Sequence, residues 1–430
     1  MSVSHYLQHY AEAETILAGK IRFQYQHVLV IPAFNEPDNF LARVSALQTS
    51  CSVLVILILN APDTLDDSGK IANTQRLGLQ LKENYPVLNK LTSTVHLLEL
   101  DKLSCQHLLL VERCHTRQFI PVKEGVGLAR KIACDLACQL INTQKITSPW
   151  IHTSDADVSL PSKYFSAADS LDPHKVAAAL YPFKHNSNPD TRLNLCQQLY
   201  ELSLYYYVEG LAWAGSPYAF HTIGSTLLIN HTSYALARGF PKRAAGEDFY
   251  LLNKLAKTGE IMSLVEPAIT IDSRESDRVP FGTGPALTKI SQLDHPLQDY
   301  LYYHPACFYY LKIFLALLPA LWVLVNKQQH EPFEDLINQL IKEDRNIDAD
   351  VMLSCLKSVN LGSALTHAVQ HSKSSDTFLR HLHNWFDAFK TLKFIHYLRQ
   401  EAYPSINAKN LITECTFLSS KLHNQFSRLK

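Results

Sequence analysis

The sequence carries no excess charge of either sign: 40 Lys and Arg residues balance 40 Asp and Glu residues over 430 positions. That balance argues against a nucleic-acid partner or an anionic membrane surface at whole-chain level, so any anionic ligand must be held by local groups. Cysteine occurs nine times, an odd number, and no C-x-x-C pair is present. Several, such as Cys134 and Cys138, fall at apolar helical positions, so reduced thiols packed as small hydrophobes are expected. The first residues, Met1 to Glu12, lack the basic start and apolar run of a signal peptide, which makes a cytoplasmic location the expectation. No internal repeat and no low-complexity tract occurs. What is plentiful is apolar: hydrophobic residues make up 47% and aromatics 10%, enough for a substantial core.

The length suits two to three domains. Over the first 290 residues strand and helix signals alternate. His27–Ala33 and Val53–Leu59 read as buried strands, the second a continuous apolar run of the kind found in a parallel sheet covered on both faces. Strands are also expected at Val95–Leu100, Trp150–Thr153, Val176–Tyr181 and Leu227–Ile229. Helical spacing marks Asp38–Thr49, a stretch ending near Asn84, Gly127–Ile141, Leu193–Leu211 and Phe249–Lys257. The alternation predicts an α/β fold, a Rossmann-like, mostly parallel sheet flanked by helices. In such sheets ligands bind beyond the carboxyl ends of strands. Residues 1–24 are expected to form a helical extension, 25–290 the catalytic domain and 291–430 a helical C-terminal region.

One segment concentrates chemistry. After Pro149-Trp-Ile-His-Thr-Ser the chain reads Asp155-Ala156-Asp157. In a strand, residues two apart face the same side, so both carboxylates could serve one hard cation. Alone, a D-x-D is a common solvated turn, and its neighbours decide its meaning. Those neighbours are Val30-Ile31-Pro32-Ala33-Phe34-Asn35-Glu36, Lys123-Glu124-Gly125-Val126-Gly127-Leu128-Ala129-Arg130, Gly224-Ser225-Thr226, Gly239-Phe240-Pro241 and Gly246-Glu247-Asp248.

In this order and spacing, the motifs resemble family-2 glycosyltransferases with the GT-A fold, over about residues 25 to 285. The resemblance implies a metal-dependent transferase that moves a sugar from a nucleotide-sugar donor to a hydroxyl acceptor (a saccharide, small metabolite, lipid or protein) with inversion. It implies that Pro32, Phe34, Asn35, Glu36, Asn60, Lys123, Arg130 and Asp155 line the donor site. It makes Asp155 and Asp157 the ligands of Mn²⁺ or Mg²⁺, and Asp248, with Glu247 beside it, the catalytic base. Most members carry a double aspartate where this chain has Asn60, whose amide still offers a donor and an acceptor to a base edge. Without the family pattern, Glu247 and Asp248 would read as carboxylates favoured by the dipole of a helix start.

The loop Asp272 to Pro285 holds Arg274 and Arg278. Arg278, ahead of Arg274, is expected to join the donor site and meet the diphosphate as a flap closes, or else Arg278 pairs with Asp277 or Glu275 on the surface. His295 and His304 are candidates for a further metal ligand by position only. Pro305–Val325 reaches the length of a membrane span, but Lys312 and Pro319 interrupt it. A buried helix pair broken near Pro319 is therefore expected, with peripheral membrane contact left open by the tyrosines around it. Two other readings stand beside the transferase. A nucleotidyltransferase would share the fold, but its glycine-rich loop is replaced here by Pro32-Ala-Phe-Asn-Glu. A degenerate homologue would only bind a ligand or a protein, through its helical tail.

Overall fold

The computed structural model describes residues 2–37, 40, 51–64, 66–187, 190–272, 282–327, 333–341 and 347–429. The chain is α/β, with a large central sheet and a helical C-terminal region. It divides into two compact units, Met1–Asn188 with Thr222–Ala286, and Pro189–His221 with Leu287–Lys430. This division differs from linear domains. Residues 1–24 belong to the first unit, whereas the helix Thr191–Trp213, expected inside the catalytic domain, belongs to the second.

Among the described residues the first unit has twelve strands. These are β1 (His27–Ala33), β2 (Val53–Asn60), β3 (Val87–Lys90), β4 (Val95–Asp101), β5 (Gln106–Arg113), β6 (Trp150–Thr153), β7 (Val158–Ser159), β8 (Val176–Leu180), β9 (Phe183–His185), β10 (Leu227–Asn230), β11 (Glu260–Ser263) and β12 (Ile269–Ile271). Nine form one sheet in the order β11-β8-β10-β6-β1-β2-β5-β4-β3. β1 pairs in parallel with β2 and β6, β2 with β5, and β8 with β11. Only β4 and β10 run against the rest, because each pairs antiparallel with both of its neighbours.

β1 and β2 are apolar apart from His27 and Asn60 because the sheet is covered on both faces; every residue is buried except half-buried Asn60. β5, at the centre of one half of the sheet, is absent from the sequence reading. Its run His107–Val111 is just as buried, but a tight turn through Cys105 (φ 51°) joins it to β4. Helices α1 (Val3–His9), α2 (Ser68–Asn84), α3 (Gly125–Asn142), α4 (His231–Leu236) and α5 (Glu247–Leu255) complete this unit. α3 lies against β1 and β2 and is buried from Gly127 to Cys138. Of the helix expected at 38–49 only Phe40, which is buried, lies within the described residues. All nine cysteines are free thiols, seven of them buried.

In the second unit, Pro305–Lys327 is one helix, not a pair. Pro319 is exposed, so its missing amide and its ring fall on the outer side, where a gentle bend costs least. Phe308, Leu311, Phe314, Leu318 and Leu321 recur every three or four residues and are buried in a core shared with Tyr206, Met352, Phe394 and Phe426. By length and composition alone this helix could cross a membrane. The Lys312 ammonium lies 4.0 Å from the centre of the Trp213 ring, a cation–π contact within this unit.

Candidate active site

The carboxyl ends of the parallel strands gather most of the expected residues. Pro32 is buried in β1 opposite Ile58, and the chain leaves the strand through half-buried Phe34. Asn35 takes a left-handed conformation (φ 53°), and α2 holds it there. Its amide donates to Thr74 Oγ1 at 2.9 Å, and its Oδ1 accepts from Asn73 Nδ2 at 3.1 Å. Glu36 is buried beside it. Asn60 ends β2 in register with Arg113 of β5, and Arg113 donates to Glu14 at 2.7 Å.

β6 stops at Thr153, so strand alternation does not set Asp155 and Asp157. They occupy the turn between β6 and β7, closed by the Val158 amide on the Asp155 carbonyl at 3.3 Å. Both carboxylate residues are partly exposed. The turn is fastened from its far side, where β7 pairs with β12 and the Asp272 amide donates to the Asp157 carbonyl at 2.9 Å. Asp272 in turn accepts from Asn186 at 2.8 Å.

Arg130 is the hub of the cluster. It is 3% exposed, and its guanidinium reaches three elements. Nη2 donates to Asp155 Oδ1 at 2.5 Å, Nε to Glu247 Oε1 at 2.9 Å, and Nη1 to the Gly224 carbonyl at 3.4 Å. The same carbonyl accepts the Thr153 hydroxyl at 2.6 Å. Burial works against the charge on Arg130, but Asp155, Glu247 and Asp248 outweigh it and leave its pKa raised. Gly224 is required by close approach, since a Cβ there would lie 2.6 Å from Arg130 Nη2.

Glu247 and Asp248 open α5 directly after Gly246, which adopts φ 70°. Glu247 is buried, and burial raises its pKa against the opposing pull of Arg130. Asp248 is partly accessible and accepts from the Phe249 amide at 2.7 Å. Burial and the neighbouring Glu247 carboxylate push it up to about 7, with Arg130 opposing. The two acids therefore differ: Glu247 is committed to an internal ion pair, whereas Asp248 keeps an accessible, basic carboxylate.

The structure thus gathers Arg130, Asp155, Glu247 and Asp248, with Asp157 on the same turn as Asp155. Lys123 stands exposed on the turn before α3. Arg274 and Arg278 lie outside the described residues. His304 belongs to the second unit, where it pairs with Glu414 at 3.0 Å, and His295 is exposed in the same unit. Thr153, Asn186, Asp272 and Glu14 were not anticipated, because single hydroxyl, amide and acidic residues outside a motif leave no periodic signal. Among the described residues no three His, Cys, Asp or Glu side chains are arranged to hold a metal ion. Two carboxylates on one accessible turn still fit a hard divalent cation whose other ligands come from phosphate and water. Compared with known proteins, the sequence matches no family model and no curated protein.

Proposed function

We propose that this protein is a GT-A-type glycosyltransferase of the family-2 kind, moving a sugar from a nucleotide-sugar donor to a hydroxyl acceptor with inversion. The observation that carries this reading is the convergence of Asp155, Glu247 and Asp248 on buried Arg130 at the carboxyl end of β6. The position of Asn35 and Asn60 at the ends of neighbouring parallel strands supports it, since that edge is where such sheets take nucleotides.

In this reading the donor lies along the ends of β1, β2 and β6, with its base toward Asn60 and its diphosphate toward the Asp155–Asp157 turn. Asp155 and Asp157 would hold a Mn²⁺ or Mg²⁺ ion. That ion, when bound, supplies the positive charge that offsets the leaving diphosphate. Arg130 holds Asp155 in place and is itself shielded from solvent. Asp248 accepts the proton of the acceptor hydroxyl as its oxygen bonds to the anomeric carbon. The bond from that carbon to the diphosphate oxygen breaks with its electron pair, so the nucleoside diphosphate departs and the proton remains on Asp248. A pKa near 7 suits a group that must take up a proton and release it again at neutral pH.

A thermal-shift series with nucleoside diphosphates and sugar nucleotides, with and without Mn²⁺, tests the reading. A donor stabilises the fold by mass action, so the melting temperature should rise only when nucleotide and metal are both present. A flat response across all nucleotides would remove the donor site and favour the homologue that only binds a protein.

A further inference from the structure

Five residues beyond Arg130 on the same helix lies a second ionic network, which the transfer chemistry does not use. Asp135 is fully buried. Its Oδ1 accepts from the Tyr6 hydroxyl at 2.5 Å and the Tyr234 hydroxyl at 2.8 Å. Its Oδ2 accepts from Lys131 Nζ at 2.9 Å and the Glu12 amide at 2.8 Å. Lys131 also donates to the Tyr6 hydroxyl at 2.8 Å. A buried carboxylate with four donors is satisfied on every side, so it anchors residues 6–12 to α3 in one register.

The anchored segment bears on the loop that precedes Asp248. The Arg238 guanidinium lies 4.9 Å from the centre of the Tyr10 ring, and Lys242 Nζ lies 2.8 Å from the Glu12 carboxylate. Gly239, at φ 68°, passes so close to Tyr6 that a Cβ would strike its hydroxyl. From the other side, the Gly127 amide donates to the Arg243 carbonyl at 2.9 Å. A Cβ on Gly125 would lie 2.7 Å from Ala244 Cα. Residues 238–244 are therefore gripped between the N-terminal segment and the start of α3, and Gly246, Glu247 and Asp248 follow at once.

We propose that residues 2–12 form a strap that positions Asp248. Tyr6 through Asp135, and Glu12 through Lys242, hold loop 238–244 in the conformation that presents the first turn of α5 to Arg130 and Asp155. Tyr6 and Glu12 are positioning residues that touch no reacting atom, and their effect on turnover rests on the base role assigned to Asp248.

Hydrogen exchange on the full chain tests the strap, comparing wild type with Tyr6→Phe and with Lys242→Ala. Amides of 238–250 should exchange at least about tenfold faster in Tyr6→Phe, with those of β1 and β2 unchanged. Turnover of sugar nucleotide by the same samples should show kcat down about tenfold and donor KM within about twofold. Lys242 is exposed, so Lys242→Ala keeps the test readable if loss of the buried hydroxyl unfolds the chain. Unchanged exchange at 238–250 in the folded variants overturns the strap whatever turnover does, and faster exchange with unchanged kcat overturns its positioning role. A wild type that neither binds nor turns over sugar nucleotides defeats the transferase reading, while exchange alone still decides the strap.

Discussion

Replacing Arg130 by methionine keeps the aliphatic bulk of the side chain and deletes the charge on which three carboxylates converge. Its largest consequence falls on Glu247, whose side chain is 6% exposed and would lose its cation without gaining water. An uncompensated buried charge of this kind costs about 3–5 kcal/mol. Asp155, with 34% of its side chain exposed, adds little because solvent screens it. For a unit of this size each kcal/mol lowers the melting temperature by about 2–4 °C, so a fall of roughly 6–20 °C is expected by calorimetry. The deficit should depend on pH with a definite sign. Burial already raises Glu247, and losing Arg130 raises it further, so the variant takes up a proton that wild type does not. The gap between the two melting curves should therefore narrow as pH falls. Arg130→Met combined with Glu247→Gln should recover part of the loss, because neither charge is then stranded. A single variant melting with wild type at every pH would refute the claim that Arg130 is the buried cross-link of the site.

Further outcomes follow from the same geometry. Asp157→Asn changes charge with little change in shape, so the fold should survive while Mn²⁺-dependent nucleotide binding disappears; unchanged affinity by calorimetry removes the metal role. Asp248→Asn should leave donor binding nearly intact and lower turnover at least about a hundredfold. In wild type, turnover should rise with pH through about 7 as Asp248 ionises, and a flat profile there would place the base elsewhere. Asp248 also links to stability: its raised pKa stabilises the folded state at acid pH, and that contribution is lost as pH rises through about 7. Because the inner face of helix Pro305–Lys327 is buried in the second unit, the full chain should remain soluble without detergent. A carbonate-resistant membrane pellet would show that this helix inserts instead.

Much of the first unit can be read from residue order, because period and composition are local properties. The runs at His27–Ala33 and Val53–Leu59 read as strands covered on both faces, which they are, and that reading set the motifs after them at the carboxyl ends of the strands. The D-x-D pattern also marked Asp155 and Asp157, and the resemblance of the motifs to a family marked Glu247, Asp248 and Arg130. It could not say which of these acids is spent on a structural ion pair and which stays accessible. That choice depends on Arg130, which is 94 positions from Gly224 and 117 from Glu247 in sequence. Strand β5 escaped because its apolar run adjoins the tight turn of its hairpin with β4, while its other partner, β2, lies on the far side of α2 in sequence. The N-terminal segment looked like an extension because its partners, Asp135, Tyr234 and Lys242, are scattered single residues with no shared period. Helix Thr191–Trp213 shows the same limit, since its own sequence made it a helix but only long-range contacts assigned it to the second unit. Periodicity records what each element buries; which element buries it is decided when side chains from distant segments compete for the same space.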